Sequence, residues 1–313
     1  VTTSASPEHP TSPEPRRPGG TARLGDHVVA RIGFGAMQLE GSTGEREATA
    51  VLRGVVEAGV NHIDTAQFYG AGICNDRIRT ALAPYPHDLV LVSKVGADNG
   101  PDGGLVPAQR PEELRGQVEA NLTALGVERL AVVNLRRLDG PPGLVAEGEQ
   151  RVDLDSQLAE LSALRDEGKI GGIGLSAVDA ETLRAALPAG IVCVQNGYNV
   201  LDRSAEPVLD LCREQGIAWV PFFPLGSAFP GLPKATENDT VLTLAKETGA
   251  TPAQVALAWL LAHYPGTLLI PGTSNPAHLA DNLDAGEVTL PASAITALDA
   301  LAAPGRSAGS GRS

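Results

Sequence analysis

Short runs of β-branched and aliphatic residues alternate along this chain with longer stretches whose apolar residues recur every three or four positions. The runs fall at Ile32–Gly35, Val60–Asp64, Leu89–Val95, Leu130–Leu135, Ile170–Leu175, Ile191–Asn196, Ile217–Pro221 and Leu268–Ile270. Amphipathic stretches separate them at Glu45–Ala58, Cys74–Ala83, Pro111–Leu125, Leu154–Glu167, Ala180–Ala186, Glu206–Gln215, Val241–His263 and Pro276–Leu283. Leu158, Leu161, Ala163 and Leu164 mark one helical face, and Ile170 opens the strand that follows it. Strands separated by helices pair in parallel, because each helix is the crossover that returns the chain to the same sheet edge. No GxGxxG follows an early strand, which argues against a dinucleotide-binding open sheet. Eight such units in one domain predict an α/β fold, a closed (β/α)8 TIM barrel, over residues 21–303. Arg23–Leu24 and Val28–Val29, around Gly25-Asp26, predict a small hairpin over the barrel bottom. Residues 1–20, rich in Pro, Ser, Thr and Glu, and residues 304–313, rich in Gly, Ser and Arg, are expected to be disordered tails.

Composition narrows the function. Of 313 residues, 42% are hydrophobic, enough for a sizeable core. The net charge of −13 argues against a nucleic-acid partner or an anionic membrane surface, though one local Arg still reverses the field inside a pocket. The three cysteines, Cys74, Cys193 and Cys212, are isolated and odd in number, so neither a disulfide framework nor a zinc site is expected. No apolar stretch is long enough to span a bilayer, and the N-terminus lacks an apolar signal core. The expectation is a cytoplasmic protein with a small-molecule partner, no metal, and an oligomeric state the sequence does not specify.

Barrel chemistry gathers at the C-terminal ends of the strands. Asp64, Lys94, Arg136, Ser176, Gln195 and Phe222 all fall there. In Gly59-Val60-Asn61-His62-Ile63-Asp64-Thr65-Ala66-Gln67-Phe68-Tyr69-Gly70 an acid and a tyrosine lie five residues apart, and Lys94 ends the next apolar run. A phenol of pKa ~10 is a poor acid at neutral pH. A nearby ammonium stabilises its anion, and a carboxylate keeps that ammonium charged. Asp64, Lys94 and Tyr69 together would form a proton relay. Taken singly, Asp64 reads as a loop cap, Lys94 as a solvated strand end and Tyr69 as a packed aromatic.

From Leu24 to Leu301 these motifs resemble the aldo-keto reductases, in which Asp, Tyr, Lys and His reduce carbonyls with a nicotinamide cofactor. The resemblance implies that Tyr69 donates the proton. The family's fourth residue is a His, and Asn134-Leu135-Arg136-Arg137-Leu138-Asp139 places Arg136 at its position. Guanidinium is always charged and only donates. It would polarise the carbonyl oxygen or grip an anionic substrate group, unless it is a surface Arg paired with a neighbouring acid.

The resemblance also supplies a cofactor site. Ser176 and Gln195 match the ligands of the nicotinamide amide, with Ala177 in place of the family's Asn. Phe222 matches the ring that stacks on nicotinamide. Leu225, Gly226 and Ser227 would wrap the pyrophosphate with backbone N–H groups. In Ile270-Pro271-Gly272-Thr273-Ser274-Asn275-Pro276-Ala277-His278, Gly272 and His278 stand where NADPH-selective members often carry Lys and Arg. Thr273, Ser274 and His278 would bond a 2′-phosphate, and Asp281 and Asn282 match the adenine contacts. NADPH is the expected cofactor, with NADH the alternative. Each of these side chains also has a plain structural reading, as a core aromatic, a loop amide or an exposed helix residue.

The wording of DEGKIGGIGLS, VQNGYNVLDR and IPGTSNPAHLADN is closest to the bacterial pyridoxal reductase (pyridoxine 4-dehydrogenase) branch. That implies reduction of a pyridoxal-type aldehyde, in a pocket lined by Met37, Phe68, Phe223 and Phe229. The alternatives are a tailoring ketoreductase of secondary metabolism on the same scaffold and a low-turnover, cofactor-sensing regulatory protein.

Overall fold

A computed structural model describes residues 16–41, 43–140, 143–226 and 233–301 of the chain. It opens with an antiparallel hairpin, β1 (Thr21–Leu24) and β2 (His27–Ala30), turned at Gly25-Asp26. A parallel sheet follows, built from β3 (Phe34–Gly35), β4 (His62–Asp64), β5 (Val90–Val95), β8 (Leu130–Arg136), β9 (Ile170–Ser176), β10 (Ile191–Gln195) and β11 (Ala218–Trp219), neighbours in that order. A second hairpin, β6 (Ala97–Asn99) and β7 (Leu105–Pro107), interrupts the sequence after β5; the hydrophobic pattern did not signal it.

The sheet closes on itself through residues 267–269. Thr267 bridges Trp219 at one edge, and Leu269 bridges Ile32 at the other, both in parallel. The bonds Leu268 N–H to Trp219 O (2.8 Å), Leu269 N–H to Arg31 O (2.7 Å) and Gly33 N–H to Leu269 O (2.8 Å) complete the ring. This eighth position makes the structure the expected (β/α)8 barrel.

Two apolar layers hold it. Inside the ring, Val90, Val92, Val132, Cys193, Ala218, Val220 and Leu268 pack against Leu24 and Val29 of the first hairpin, which plugs the bottom as expected. Outside, helices α1 (Glu45–Glu57), α2 (Ile73–Leu82), α3 (Pro111–Leu125), α4 (Leu154–Asp166), α5 (Ala180–Ala186) and α6 (Glu206–Gln215) lay one apolar face each on the strands. On α1 the buried residues are Ala48, Val51, Leu52 and Val55, the three-and-four spacing of a single stripe. Each of the valine and leucine side chains contributes roughly 1.5–3 kcal/mol when fully buried. Glu47 fixes where α1 starts by accepting from the Gly44 N–H (3.1 Å).

Two expectations need correction. The stretch Val241–His263 is two helices, α7 (Asp239–Thr248) and α8 (Pro252–His263). Gly249 ends the first in the left-handed conformation (φ 70°), and Thr251 caps the second. The Thr251 hydroxyl accepts from Gln254 N–H (3.2 Å), and the Gln254 side chain accepts from Thr251 N–H (2.9 Å). Residues 16–20, read as part of the tail, are anchored: Arg16 pairs with Glu287 (3.0 Å), and Arg17 donates to Gly59 O (2.9 Å). Helices α9 (Pro276–Asp284) and α10 (Ala292–Asp299) follow; the second was not anticipated. Among the described residues no helix is long and apolar enough to cross a membrane.

Candidate active site

Parallel pairing brings the strand ends to one rim. Register sets Gly35 beside Asp64, Lys94 beside Asn134, Arg136 beside Ser176 and Ser176 beside Gln195. Asp64 and Lys94 are buried and form a salt bridge. The Lys94 ammonium also donates to the Thr65 carbonyl (3.2 Å). The other Asp64 oxygen accepts from Gln195 Nε2 (2.6 Å). Tyr69 follows in a short 3-10 turn, Tyr69–Gly72, and Lys94 Nζ sits over its ring, 4.9 Å from the centroid. The expected Asp64, Lys94 and Tyr69 group is therefore assembled.

Electrostatics correct one part of the expectation. Tyr69 is half-exposed as a residue, yet its hydroxyl lies deep, and burial raises its pKa above the ordinary phenol value. Lys94 pulls it down, Asp64 pushes it up and Arg136 pulls it down, but burial wins. The cations do not produce a standing tyrosinate; the phenol keeps its proton. Burial also works against the Lys94 charge, but the Asp64 carboxylate outweighs it, so the Lys94 pKa is raised.

Arg136 is half-buried at the end of β8, and burial lowers its pKa. Among the described residues its guanidinium makes no ion pair. The paired arginine of that segment is the next one. Arg137 binds Asp139 through two bonds (2.8 and 2.5 Å) and donates to Val152 O (3.1 Å).

The proposed cofactor residues are brought to the same rim in part. Ser176 is buried, and its hydroxyl has no hydrogen bond among the described residues. Gln195 divides its amide: Nε2 belongs to Asp64, and Oε1 is buried without a partner among the described residues. A buried acceptor left open is costly unless a ligand donor meets it. Ala177 has φ 58°, a conformation for which the family's Asn is better suited. Phe222 N–H donates to Asn196 O (3.0 Å), and its ring meets Phe223 edge-on at 5.2 Å. Leu225 accepts from Ala235 N–H (2.9 Å). Gly226 lies at φ 90°, and a Cβ there would fall 2.4 Å from the Pro233 carbonyl oxygen.

Gly272 differs from expectation in its cause. A Cβ on it would lie 2.4 Å from Gly35 O, so packing against β3 excludes a larger residue. Thr273 is buried and its hydroxyl accepts from Asn275 N–H (3.0 Å), while Ser274 and His278 are exposed. The Asn275 side chain caps α9 through Ala277 N–H (2.9 Å). Asp281 is half-buried, its carbonyl held by Gln254 Nε2 (3.1 Å), and Asn282 is buried.

Of the pocket residues, Phe68 is buried with Ala66 and Ala97 and meets the Tyr69 ring edge-on at 5.2 Å. Met37, in a short 3-10 turn after β3, and Phe223 are half-buried. Ser227 and Phe229 lie outside the described residues. Two buried polar residues beneath or behind the site were missed. His62, two positions before Asp64, faces the same way on β4 and is fully buried, which pushes its pKa down to about 4, with the Ala30 carbonyl opposing. The period of two in the strand would have found it. Gln109 is the other.

With this geometry in place, comparison with known proteins gives a consistent set of likenesses. The Aldo/keto reductase family model matches residues 31–303. A pyridoxine 4-dehydrogenase of Escherichia coli (strain K12) is 42% identical over 288 residues, covering 90% of this chain and 98% of that protein. An aldo/keto reductase from Klebsiella pneumoniae, solved with NADP and acetate, superposes with a TM-score of 0.77 at 25% identity, over 92% of this chain and 96% of the other. An aldo-keto reductase from Bacillus halodurans in its holo form gives 0.73 at 25% identity, over 91% and 97%.

Proposed function

The chain belongs to the aldo/keto reductase family, and from that premise we propose that it reduces a pyridoxal-type aldehyde to the alcohol, with Tyr69 as proton donor and NADPH as cofactor. Its general activity is NAD(P)H-dependent carbonyl reduction. A bound nicotinamide cofactor supplies the hydride. The open Gln195 Oε1 and the free Ser176 hydroxyl suit a carboxamide, which offers both a donor and an acceptor. Gly226, Thr273, Ser274 and His278 would hold the phosphates, and Asp281 and Asn282 the adenine.

The chain's own residues handle the proton. Burial keeps Tyr69 protonated before reaction. Once the carbonyl oxygen takes that proton, Lys94 and Arg136 stabilise the tyrosinate left behind. Asp64 holds Lys94 in place and charged, and Gln195 holds Asp64. Phe68 walls the Tyr69 ring and helps to exclude water.

The observation that carries the substrate reading is the guanidinium of Arg136, half-buried beside Tyr69 and free of any carboxylate among the described residues. Pyridoxal carries a phenolic oxygen next to its aldehyde, and a cation there would hold it. The likeness to a pyridoxine 4-dehydrogenase supports the same class. The test is NADPH consumption with pyridoxal and a panel of uncharged aldehydes and ketones. Pyridoxal should be the better substrate, and Tyr69→Phe should lower its turnover by ~10²–10⁴-fold with cofactor binding intact. Preference for an uncharged ketone would instead favour a tailoring reductase, and unchanged turnover in Tyr69→Phe would remove it as the donor.

A further inference from the structure

Behind the rim, buried amide side chains tie the strand that carries Lys94 to the strand that carries Arg136. Gln109 lies just before α3 and is only 2% exposed. Its Nε2 donates to two carbonyls at once: Gly96 O (2.5 Å), two residues past Lys94, and Arg136 O (2.8 Å). The Gly96 N–H donates to the Gln117 side chain (2.7 Å), so both polar groups of Gly96 are held by glutamines. Gln117 in turn donates to Ala108 O (2.9 Å), the residue before Gln109.

Gln109 is locked from its other side. Gln157 of α4, fully buried, donates from Nε2 to the Gln109 carbonyl (2.7 Å) and to the Gln109 side-chain oxygen (3.0 Å). The Gln157 oxygen accepts from Arg137. The Gln109 N–H donates to the Gln150 side chain (2.6 Å). Close approach is built in at Gly96: φ is 105°, and a Cβ would lie 2.5 Å from Arg136 O and 2.7 Å from Gln109 Nε2.

The Arg136 backbone is thus fixed on each side. Its carbonyl is held by Gln109, and the next N–H, of Arg137, donates to Ser176 O (2.9 Å). The Arg136 side chain, by contrast, has no hydrogen bond or ion pair among the described residues. Two buried amides, Gln109 and Gln117, thus meet on the backbone of Gly96, and Gln109 alone spans to Arg136, while Gln157 and Gln150 hold Gln109 in that place. Gln109 touches neither substrate nor the reacting atoms, so any effect it has must pass through those two residues.

We infer that Gln109, seated by Gln117 and Gln157, is a positioning residue that sets where the Arg136 guanidinium stands relative to Lys94 and Tyr69. This rests on the reading of Arg136 as the group that holds an ionised substrate oxygen.

The experiment is a double-variant cycle on the full chain with saturating NADPH. It measures kcat/KM on pyridoxal and on benzaldehyde for the unaltered protein, Gln109→Met, Arg136→Met and the pair. A displacement of order 1 Å at a reacting geometry costs up to ~10²-fold, so Gln109→Met should lower kcat/KM on pyridoxal by roughly 10–100-fold. The loss on benzaldehyde should be much smaller, and Gln109→Met should add little to Arg136→Met. NADPH affinity should be unchanged. Equal losses on the two aldehydes that add in full to those of Arg136→Met would overturn the inference and leave Gln109 a structural residue. If Gln109→Met does not fold, Gln157→Met, which releases the Gln109 amide, is put through the same cycle with the same two outcomes. Failure of the unaltered protein to favour pyridoxal would contradict the substrate reading. The cycle then runs on the best substrate found, where non-additivity supports the positioning role and full additivity refutes it.

Discussion

Ala177 is an exposed residue with φ 58°, directly after Ser176. For an L-residue with a Cβ this conformation costs ~1–2 kcal/mol. Replacing it with Gly removes that cost. The gain is offset because a glycine loosens the unfolded chain by ~0.4–1 kcal/mol. Almost no buried area is lost, and the Ala177 N–H keeps its bond to Gln195 O (3.0 Å). The net expectation is that Ala177→Gly stabilises the protein by about 0.5–1 kcal/mol. In a chain of this size that amounts to a rise in Tm of about 1–2 °C. Ala177→Asn relieves part of the same strain, because Asn tolerates the left-handed region. It also restores an amide beside Ser176, and one net hydrogen bond of ~0.5–1.5 kcal/mol tightens NADPH by about 2–12-fold. Thermal unfolding of cofactor-free protein and titration of NADPH by fluorescence separate the two effects. A fall in Tm for Ala177→Gly would refute the reasoning, since it would mean that Ala177 carries no backbone strain.

Burial of neutral His62 makes stability depend on pH. Its folded pKa, about 4, lies below the ordinary value of 6.5, so between these pH values the unfolded chain binds a proton that the folded chain does not. Stability should fall as pH drops from 6.5 to 4, by up to ~3 kcal/mol, and denaturant unfolding of His62→Gln should show that part of the slope removed. Gly272→Lys, which would import the cation of NADPH-selective relatives, should lower Tm by several degrees, because its Cβ meets Gly35 O at 2.4 Å. Titration of both cofactors should show no gain in NADPH selectivity; a large gain with unchanged Tm would mean that the loop yields easily.

The barrel was legible because its signal is local. Each strand is a run such as Val90–Val95, and each crossover helix repeats an apolar stripe like that of Val51, Leu52 and Val55. Asp64, Lys94 and Arg136 were legible because all three close such runs. Contacts between distant segments were not. Gln195 supports Asp64 from 131 residues away, which no spacing reveals. Nothing in the residues around Gln109 marks it out from other polar loop positions. The packing that keeps Gly272 small depends on Gly35 across the barrel seam. The direction of the Tyr69 shift required knowing how deep its hydroxyl lies, since nearby cations alone point the other way. The break at Gly249 is a different case. Thr251-Pro252-Ala253-Gln254 is a helix-start signal, but the apolar pattern runs on across it and hides the break.

Arg136→Met, assayed on pyridoxal and on an uncharged aromatic aldehyde of similar size, tests most directly the claim that a free cation beside Tyr69 selects the substrate. A charge-assisted hydrogen bond is worth roughly 1.5–3 kcal/mol, which predicts a loss in kcat/KM of about 10–150-fold on pyridoxal. The uncharged aldehyde should lose far less, and Arg136→His should recover activity on it. Equal losses on both aldehydes would contradict the account and assign Arg136 to the fold or to the cofactor.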